Sequence, residues 1–479
     1  MKKKFYSLFI TAITLLGSFH MKKKFYSLFI TAITLLGSFH SKAQNIYTVA
    51  GNGTTSSTAG YGDGGAATAA EFAQTQAVAV DATGNIYIAD RYSSQIRKVN
   101  TSGIISTIAG AGMGLGLTTD GIAATAAYIG EPRSIALDAA GNIFFSGDNK
   151  IRKINTSGII STVAGNGGYT GVGDGIPATS ASVGQPTGIA FDAAGNLYIC
   201  DSYHASIRKV NSAGIISTVA GNGTVAYSGD GFAATNASLS EGISAIAFDA
   251  AGNMYIADGW NQYTLQPNVI RKVNTAGIIT TAYGQGTGGL GDGGPATAAT
   301  FSGPRDIKFD AAGNLYVADQ GNERIRKIST TGVITTIAGC GITGYSGDGF
   351  AAIAAKFWGP GGLAIDTHGN IFIADDSNSV VRKIPNTSLS TNNVVTSDSL
   401  FSIFPNPNNG QFTLEGNTQS NGNYTITITD VLGRNIYSTL IAPQNNHINL
   451  AINQNLPHGI YIVQLHGEGE NIVQRFEIE

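Results

Sequence analysis

An all-β fold is what this sequence predicts: a six-bladed β-propeller closed by its N-terminal strand, followed by a small immunoglobulin-like β-sandwich. Three observations carry the prediction. A turn aspartate recurs at Asp81, Asp138, Asp192, Asp249, Asp310 and Asp366, 54 to 61 residues apart. A basic pair recurs in step with it, at Arg97-Lys98, Arg152-Lys153, Arg208-Lys209, Arg271-Lys272, Arg326-Lys327 and Arg382-Lys383. The composition, 64 glycines and only 12% charged residues, suits a turn-rich β protein.

Residues 188–223 show one unit in full. Four short apolar runs, 188–191, 197–200, 207–210 and 215–220, are separated by Gly, Asn, Asp and Ser, which is the pattern of a four-stranded antiparallel meander. In the first turn, Asp192-Ala-Ala-Gly195-Asn196, Gly and Asn stand where a tight hairpin needs positive φ, and the Asp carboxylate can accept backbone N–H groups. Asn211-Ser-Ala-Gly214 repeats that chemistry in the second turn. One such meander cannot bury both its faces, so the six copies are expected to pack on one another.

The ends of the repeat predict how the ring shuts. After Lys383 the chain reads IPNTSLSTNN, with no counterpart of GIISTVAGNG, so the sixth unit lacks a fourth strand. Residues 45–53 read NIYTVAGNG and precede the first unit. The N-terminal strand is therefore expected to complete the last blade and leave no open sheet edge.

Residues 1–20 and 21–40 are identical, MKKKFYSLFITAITLLGSFH. Lysines followed by a short apolar stretch predict a secretory signal peptide too short to be a membrane span, with Met21 as the functional start and cleavage between Ala43 and Gln44. The mature protein then starts at Gln44 and has no transmembrane span. Seven of the 28 Lys plus Arg lie in the removed segment and none of the 31 Asp plus Glu does, leaving 21 against 31, a net charge of −10. An acidic chain without a basic block is a poor nucleic-acid binder, and that class is set aside. Cys200 and Cys340 fall in different repeats and are expected to be small buried or half-buried residues without a bridge.

Loops of about 25 residues join each fourth strand to the next first strand, and they too are periodic: Asp63, Asp120, Asp174, Asp230, Asp292 and Asp348 lie in Gly-Asp-Gly or Asp-Gly turns followed by Ala/Thr-rich segments. With GDG..AT.A, G.A.DA.GN.Y.AD, IRK and G.I.T.AG in that order, residues 44–385 resemble the NHL-repeat propeller family. After a polar linker, 386–400, residues 401–479 carry Pro405-Asn406-Pro407, Asp430-Val-Leu-Gly433-Arg434 and Leu456-Pro-His-Gly459-Ile-Tyr461. That order is similar to the C-terminal sorting domain of the type IX secretion system of Bacteroidetes-type bacteria, which implies a secreted or outer-membrane surface-attached protein with the type IX machinery as a partner.

The turn aspartates are read as hairpin caps and not as catalysts, because their spacing tracks the turn. The acids that end the second strands, Asp90, Asp148, Asp201, Asp258, Asp319 and Asp375, are read as structural charge or hydrogen-bond partners of the third-strand arginines. The Gly-Asp-Gly loops invite calcium, but lack the carboxylate density of a dedicated calcium loop and are read as turn caps over the blade top; no cofactor is assigned, with calcium kept as the alternative. Some NHL-type lyases bind a metal through histidines. The two propeller histidines here, His204 and His368, cannot make a three-His site, and no catalytic residue is assigned.

Recognition is the favoured function. The loops joining second and third strands vary where the scaffold does not, and with the interblade loops they are expected to form one surface. Tyr92, Tyr203, His204, Trp260, Asn261 and Tyr263 supply aromatics beside amides, suited to stacking on sugars or anchoring a protein. The alternatives are an extracellular lyase or hydrolase of a polysaccharide or lactone with its site in the central channel, and a structural adhesion component.

Overall fold

The structure, a computed structural model, describes residues 44–55, 60–259, 268–386, 401–404, 411–418, 421–430, 435–453, 456–457, 459–467 and 470–478. The chain divides into two compact units, one ending at Asn386 and the other beginning at Thr387. Ala43, the expected leader and the linker lie outside the described residues, as do Trp260, Asn261 and Tyr263. Among the described residues no helix is long and apolar enough to cross a membrane.

The first unit contains six antiparallel sheets built on one plan. Their first strands are Thr75–Val80, Ser134–Leu137, Pro186–Phe191, Ala245–Phe248, Pro304–Phe309 and Pro360–Ile365. Each first strand touches the first strand of the next sheet, and that of the sixth touches that of the first. Polar side chains stitch several of these neighbours together: Thr187 Oγ1 donates to the Ile243 carbonyl at 2.6 Å, Ser244 Oγ to the Pro304 carbonyl at 2.7 Å, and Leu363 N–H to Asp306 Oδ2 at 2.8 Å. Glycine permits the closest approach, since a Cβ on Gly362 would lie 2.7 Å from Ala77 Cα.

The turn chemistry read from the sequence operates in every sheet. Asp192 Oδ1 accepts the N–H groups of Ala194 and Asn196, and Oδ2 accepts the Asn196 amide. The same bonds to the Asn four residues on recur at Asp81, Asp138, Asp249, Asp310 and Asp366. Second strands such as Ile86–Asp90 and Met254–Asp258 are buried at every position, because neighbouring sheets cover both faces.

Tyr47–Ala50 occupies the fourth place in the last sheet, antiparallel to Val380–Ile384. Thr48 faces Arg382 in the register in which Thr218 faces Arg208, and the irregularity beside it repeats as well. The strand is anchored beyond its own sheet: Ile46 N–H donates to the Phe350 carbonyl and Thr48 Oγ1 meets the Tyr345 hydroxyl at 2.8 Å.

The interblade loops do not simply cover one end. Each runs along the fourth strand of the following sheet, as when Gly64 N–H donates to the Ile105 carbonyl and Ala67 N–H to the Gly103 carbonyl. Single bridges, Ala66 to Ile104, Ala123 to Ile159, Ala233 to Ile278 and Pro295 to Val333, repeat the arrangement, and Ile176–Pro177 forms a short fifth strand in the third sheet. The outer edges are covered in this way, which removes their exposed hydrogen-bonding groups.

The loop aspartates fasten these straps. Asp174 Oδ1 accepts from Arg208 Nη2 at 2.8 Å while Oδ2 accepts the Thr218 N–H at 3.0 Å. The equivalent ion pairs are Arg97 with Asp63, Arg152 with Asp120, Arg271 with Asp230, Arg326 with Asp292, and Arg382 with Asp348. These six carboxylates, expected to cap a turn over the blade top, therefore bridge two strands and a loop at the outer rim. A second carboxylate reaches the same arginine from the second strand in four sheets: Asp201 to Arg208 at 3.4 Å, Asp258 to Arg271 at 3.5 Å, Asp319 to Arg326 at 3.0 Å and Asp375 to Arg382 at 3.6 Å.

The second sheet departs from the plan. Its second strand, Ile143–Gly147, ends in glycine at the buried position, and Asp148 lies one residue further on at φ 57°. The sequence reading of Asp148 as a member of the buried series is thus off by one. Gly147 is required there, since a Cβ would sit 2.5 Å from the Ile129 carbonyl oxygen.

The C-terminal unit folds as two antiparallel sheets. One holds Phe401–Phe404, Gln411–Asn417 and His447–Asn453; the other holds Asn435–Ile441, Tyr424–Asp430, Gly459–Gly467 and Glu470–Ile478. Phe412, Leu414, Ile448 and Ile452 from the first pack with Tyr424, Ile426, Ile428 and Val463 from the second. The Tyr461 hydroxyl donates to the Pro457 carbonyl at 2.9 Å.

Candidate functional site

The first strands line a channel on the axis of the six sheets. In register with the second position of Thr75–Val80 are Gln76, Arg133, Thr187, Ser244, Arg305 and Gly361, with Arg133 and Ser244 one residue before their strands; the third level is Ala77, Ser134, Gly188, Ala245, Asp306 and Gly362, and the fifth Ala79, Ala136, Ala190, Ala247, Lys308 and Ala364. All six strands contribute to one crevice there. At the third and fifth positions the residues are small in every sheet but the fifth, which carries Asp306 and Lys308, while the second positions include the larger Gln76, Arg133 and Arg305. An offset in pairing at the start of Pro304–Phe309, shared with the first strands of the first, third and sixth sheets, lies at Arg305 in the crevice wall.

Charge collects at the end of this channel where the second-to-third-strand loops lie. Arg91, from the first of these loops, donates through Nε and Nη2 to Glu131 Oε2 at 3.0 and 2.8 Å, and Arg133 Nη2 lies 3.8 Å from the same oxygen. Arg91 Nη1 also reaches Gln76 Oε1 at 3.3 Å. Arg305 is buried, which holds its guanidinium down to about 10, with Asp376 acting in the opposite sense and Arg133 and Arg91 in the same sense. Burial pushes Asp376 up to about 7 against the pull of Arg305 and Arg91, and its Oδ1 is buried without a hydrogen bond. Deeper in, Lys308 pairs with Asp306 at 2.5 Å.

Of the predicted binding residues, Tyr92, Tyr203 and His204 are described, and they lie in second-to-third-strand loops, while Trp260, Asn261 and Tyr263 lie outside the described residues. Tyr92 is exposed, with the Arg91 guanidinium 4.6 Å from its ring centroid. Tyr203, 53% exposed, meets the ring of Tyr169 edge-on at 5.4 Å. His204 is turned inward: its side chain is 11% exposed, and Nδ1 lies 2.7 Å from the buried Asp201 carboxylate. The dyad holds the loop; Asp201 Oδ1 also accepts the Gly184 N–H. Sequence reasoning passed over Tyr169 and Trp358, both more than half exposed, because they lie in interblade loops; Trp358 places its carbonyl on the Ser377 N–H, next to Asp376. It also passed over Arg133, Arg305 and Lys308. Laying the six first strands in register would have found them, since PRDIKF stands out among TQAVAV, PTGIAF and PGGLAI.

Among the described residues no group of three or more His, Cys, Asp or Glu is arranged to hold a metal ion, and Cys200 and Cys340 are free thiols.

Comparison with known proteins agrees with this division of the chain. Residues 26–116, 115–172 and 167–228 match the teneurin NHL domain family, and residues 402–479 match the secretion system C-terminal sorting domain family. Human teneurin-1 is 30% identical over 237 residues, covering 44% of this chain but 8% of the teneurin; human teneurin-4 is 32% identical over 233 residues with the same coverage. The chain thus spans about a tenth or less of the length of the curated relatives it matches. A structural genomics protein of unknown function from Bacteroides thetaiotaomicron superimposes with a TM-score of 0.52 at 17% identity, over 72% of this chain and 76% of that one. An auxiliary nutrient binding protein from the same organism gives 0.49 at 17% identity, over 71% and 75%. Residues 26–228 thus carry NHL repeats of the teneurin type, and residues 402–479 carry a secretion system C-terminal sorting domain.

Proposed function

We propose that this is a secreted or surface-attached recognition protein: a six-bladed propeller, closed by its N-terminal strand, that binds a glycan or protein partner through the end carrying the second-to-third-strand loops. The type IX machinery is the export partner, read from the sorting domain. The observation that carries the reading is the placement of exposed aromatics, Tyr92, Tyr203, Tyr169 and Trp358, around a polar channel end whose described lining contains no histidine. Aromatic rings with amide and charged neighbours give contact area at low entropic cost. The six loop carboxylates are engaged by arginine and backbone N–H groups, which favours a binding surface that works without calcium.

The test is retention of the secreted protein on a glycan array and on insoluble polysaccharides, with calcium and with chelator. Tyr203→Ala is expected to weaken retention about tenfold, the loss of one central aromatic contact, with the chelator neutral. Retention unaffected by Tyr203→Ala and by Trp260→Ala would overturn the assignment of this surface.

A further inference from the structure

We propose that the channel end is an anion site that receives the carboxylate of a uronic acid within an acidic polysaccharide. The inference rests on the recognition reading above and names its ligand class.

Three guanidinium groups from different sheets converge there. Arg305, at the second position of its strand, and Arg133, one residue before its own, line the crevice, and Arg91 joins them through the Glu131 oxygen it shares with Arg133. One carboxylate therefore serves two arginines. Lys308 adds a fourth cation, already paired with Asp306. The positive end stands on a mature chain whose net charge is −10, so it is set against the surrounding field and focuses anions toward the axis. Arginine's planar fork is suited to bidentate contact with a carboxylate, more so than a lysine would be.

Size and surroundings narrow the class. The heart of the crevice has room for only about one or two water-sized groups, which suits the head of a carboxylate and not a sugar ring. The ring of the sugar must then remain outside, where Tyr92 presents an exposed aromatic face immediately beside Arg91. Gly361 stands level with Arg133 and Arg305, where a Cβ would lie 3.2 Å from the Gln76 carbonyl oxygen and 3.8 Å from Asp376 Cβ, and Asp376 Oδ1 is buried without a hydrogen bond. An acidic peptide is the less suitable occupant. Extended peptides commonly add to a free sheet edge, and here the interblade loops cover the outer edges.

The experiment is titration calorimetry of the full secreted chain with oligogalacturonate, the matched neutral galactan oligomer and poly-glutamate. Oligogalacturonate is expected to bind at least ten times more tightly than the neutral oligomer, and Arg133→Gln to remove at least tenfold of that affinity. Arg133 is only partly buried, so the variant is expected to keep its melting temperature within about 2 °C; Arg91→Gln gives a second, independent reading. Equal affinity for the neutral oligomer, no binding of any uronate oligomer tried, an unaffected pair of variants, or preference for poly-glutamate would each overturn the proposal. Loss of the uronate preference with Tyr203-dependent retention intact would remove this site alone; loss of both would remove the recognition reading.

Discussion

Two sets of arginines in this molecule carry the same group to different places, one between strands and loops and one at the axis. The third-strand set, Arg97, Arg152, Arg208, Arg271, Arg326 and Arg382, repeats with the sheets, lies buried, and is held by loop carboxylates and carbonyls, with aromatic faces such as Tyr227 and Tyr345 against some of them. The axial set, Arg91, Arg133 and Arg305, follows no period and gathers around one channel. A residue required by every sheet reports on the sheet, whereas a residue that one sheet has and its copies lack reports on what that sheet does.

The largest effect that would sharpen this contrast is removal of the strand that covers the last repeated arginine. Deleting residues 45–53 strips the partner of Val380–Ile384 and uncovers Arg382 and Val381, and the melting temperature is expected to fall by roughly 10 °C or more. A melt unchanged by the deletion would break the account of the ring. Next in size, Arg326→Met leaves Asp319 buried and uncompensated and is expected to cost about 3–5 kcal/mol in urea unfolding. Arg152→Met is expected to cost about half as much, because the second sheet has Gly147 where the others carry the buried carboxylate and Asp120 is solvated. Equal losses would show that the second carboxylate is not what makes the repeated arginine indispensable.

The smallest effect is in the pH dependence. Burial raises Asp90 and Asp375 to about 6 and Asp376 to about 7, above the value near 3.9 of an unfolded aspartate. Between about pH 4 and pH 7 the native state therefore holds protons that the unfolded chain has released, so their contribution is full at low pH and is lost as pH rises. Asp81 has the opposite sign: burial alone would raise it, but hydrogen bonds from Asn85 and Thr83 bring it to about 2, so its contribution is lost below about pH 4. Asp376→Asn is expected to flatten the decline and to gain on the order of 1 kcal/mol at pH 8 in urea unfolding. An unchanged slope would show that Asp376 is not held protonated beside the axial arginines.

Much of the architecture was legible in the sequence because it is periodic. The Asp-x-x-Gly-Asn turns, the Arg-Lys pairs and the unmatched TVAG strand are short-range patterns whose chemistry acts within a few residues or repeats at a fixed interval. The channel end was not legible by that route. Arg91, Arg133, Glu131, Arg305 and Asp376 come from four sheets and meet only through the fold, and Arg305 reads in isolation as an ordinary charged residue after a proline. The interblade loops show the same limit. Their periodicity was visible, but the direction in which they run, along the fourth strand of the next sheet, depends on hydrogen bonds between residues about 40 apart, such as Gly64 to Ile105. Tyr203 and His204 are adjacent, and only their packing separates an exposed ring from an inward one held by Asp201.

The seating of Tyr47–Ala50 in the last sheet has a kinetic consequence. Thr48 and its hydroxyl partner Tyr345 are 297 residues apart, so the first strand of the folded unit to leave the ribosome pairs with segments made near the end. Topologies dominated by such distant pairings fold slowly, since chain entropy must be given up before the contact forms. Until Val380–Ile384 emerges, the leading strand has no edge to join, and the nascent repeat remains an unsealed row of sheets. The order of synthesis itself postpones the final pairing until almost the whole repeat has been made.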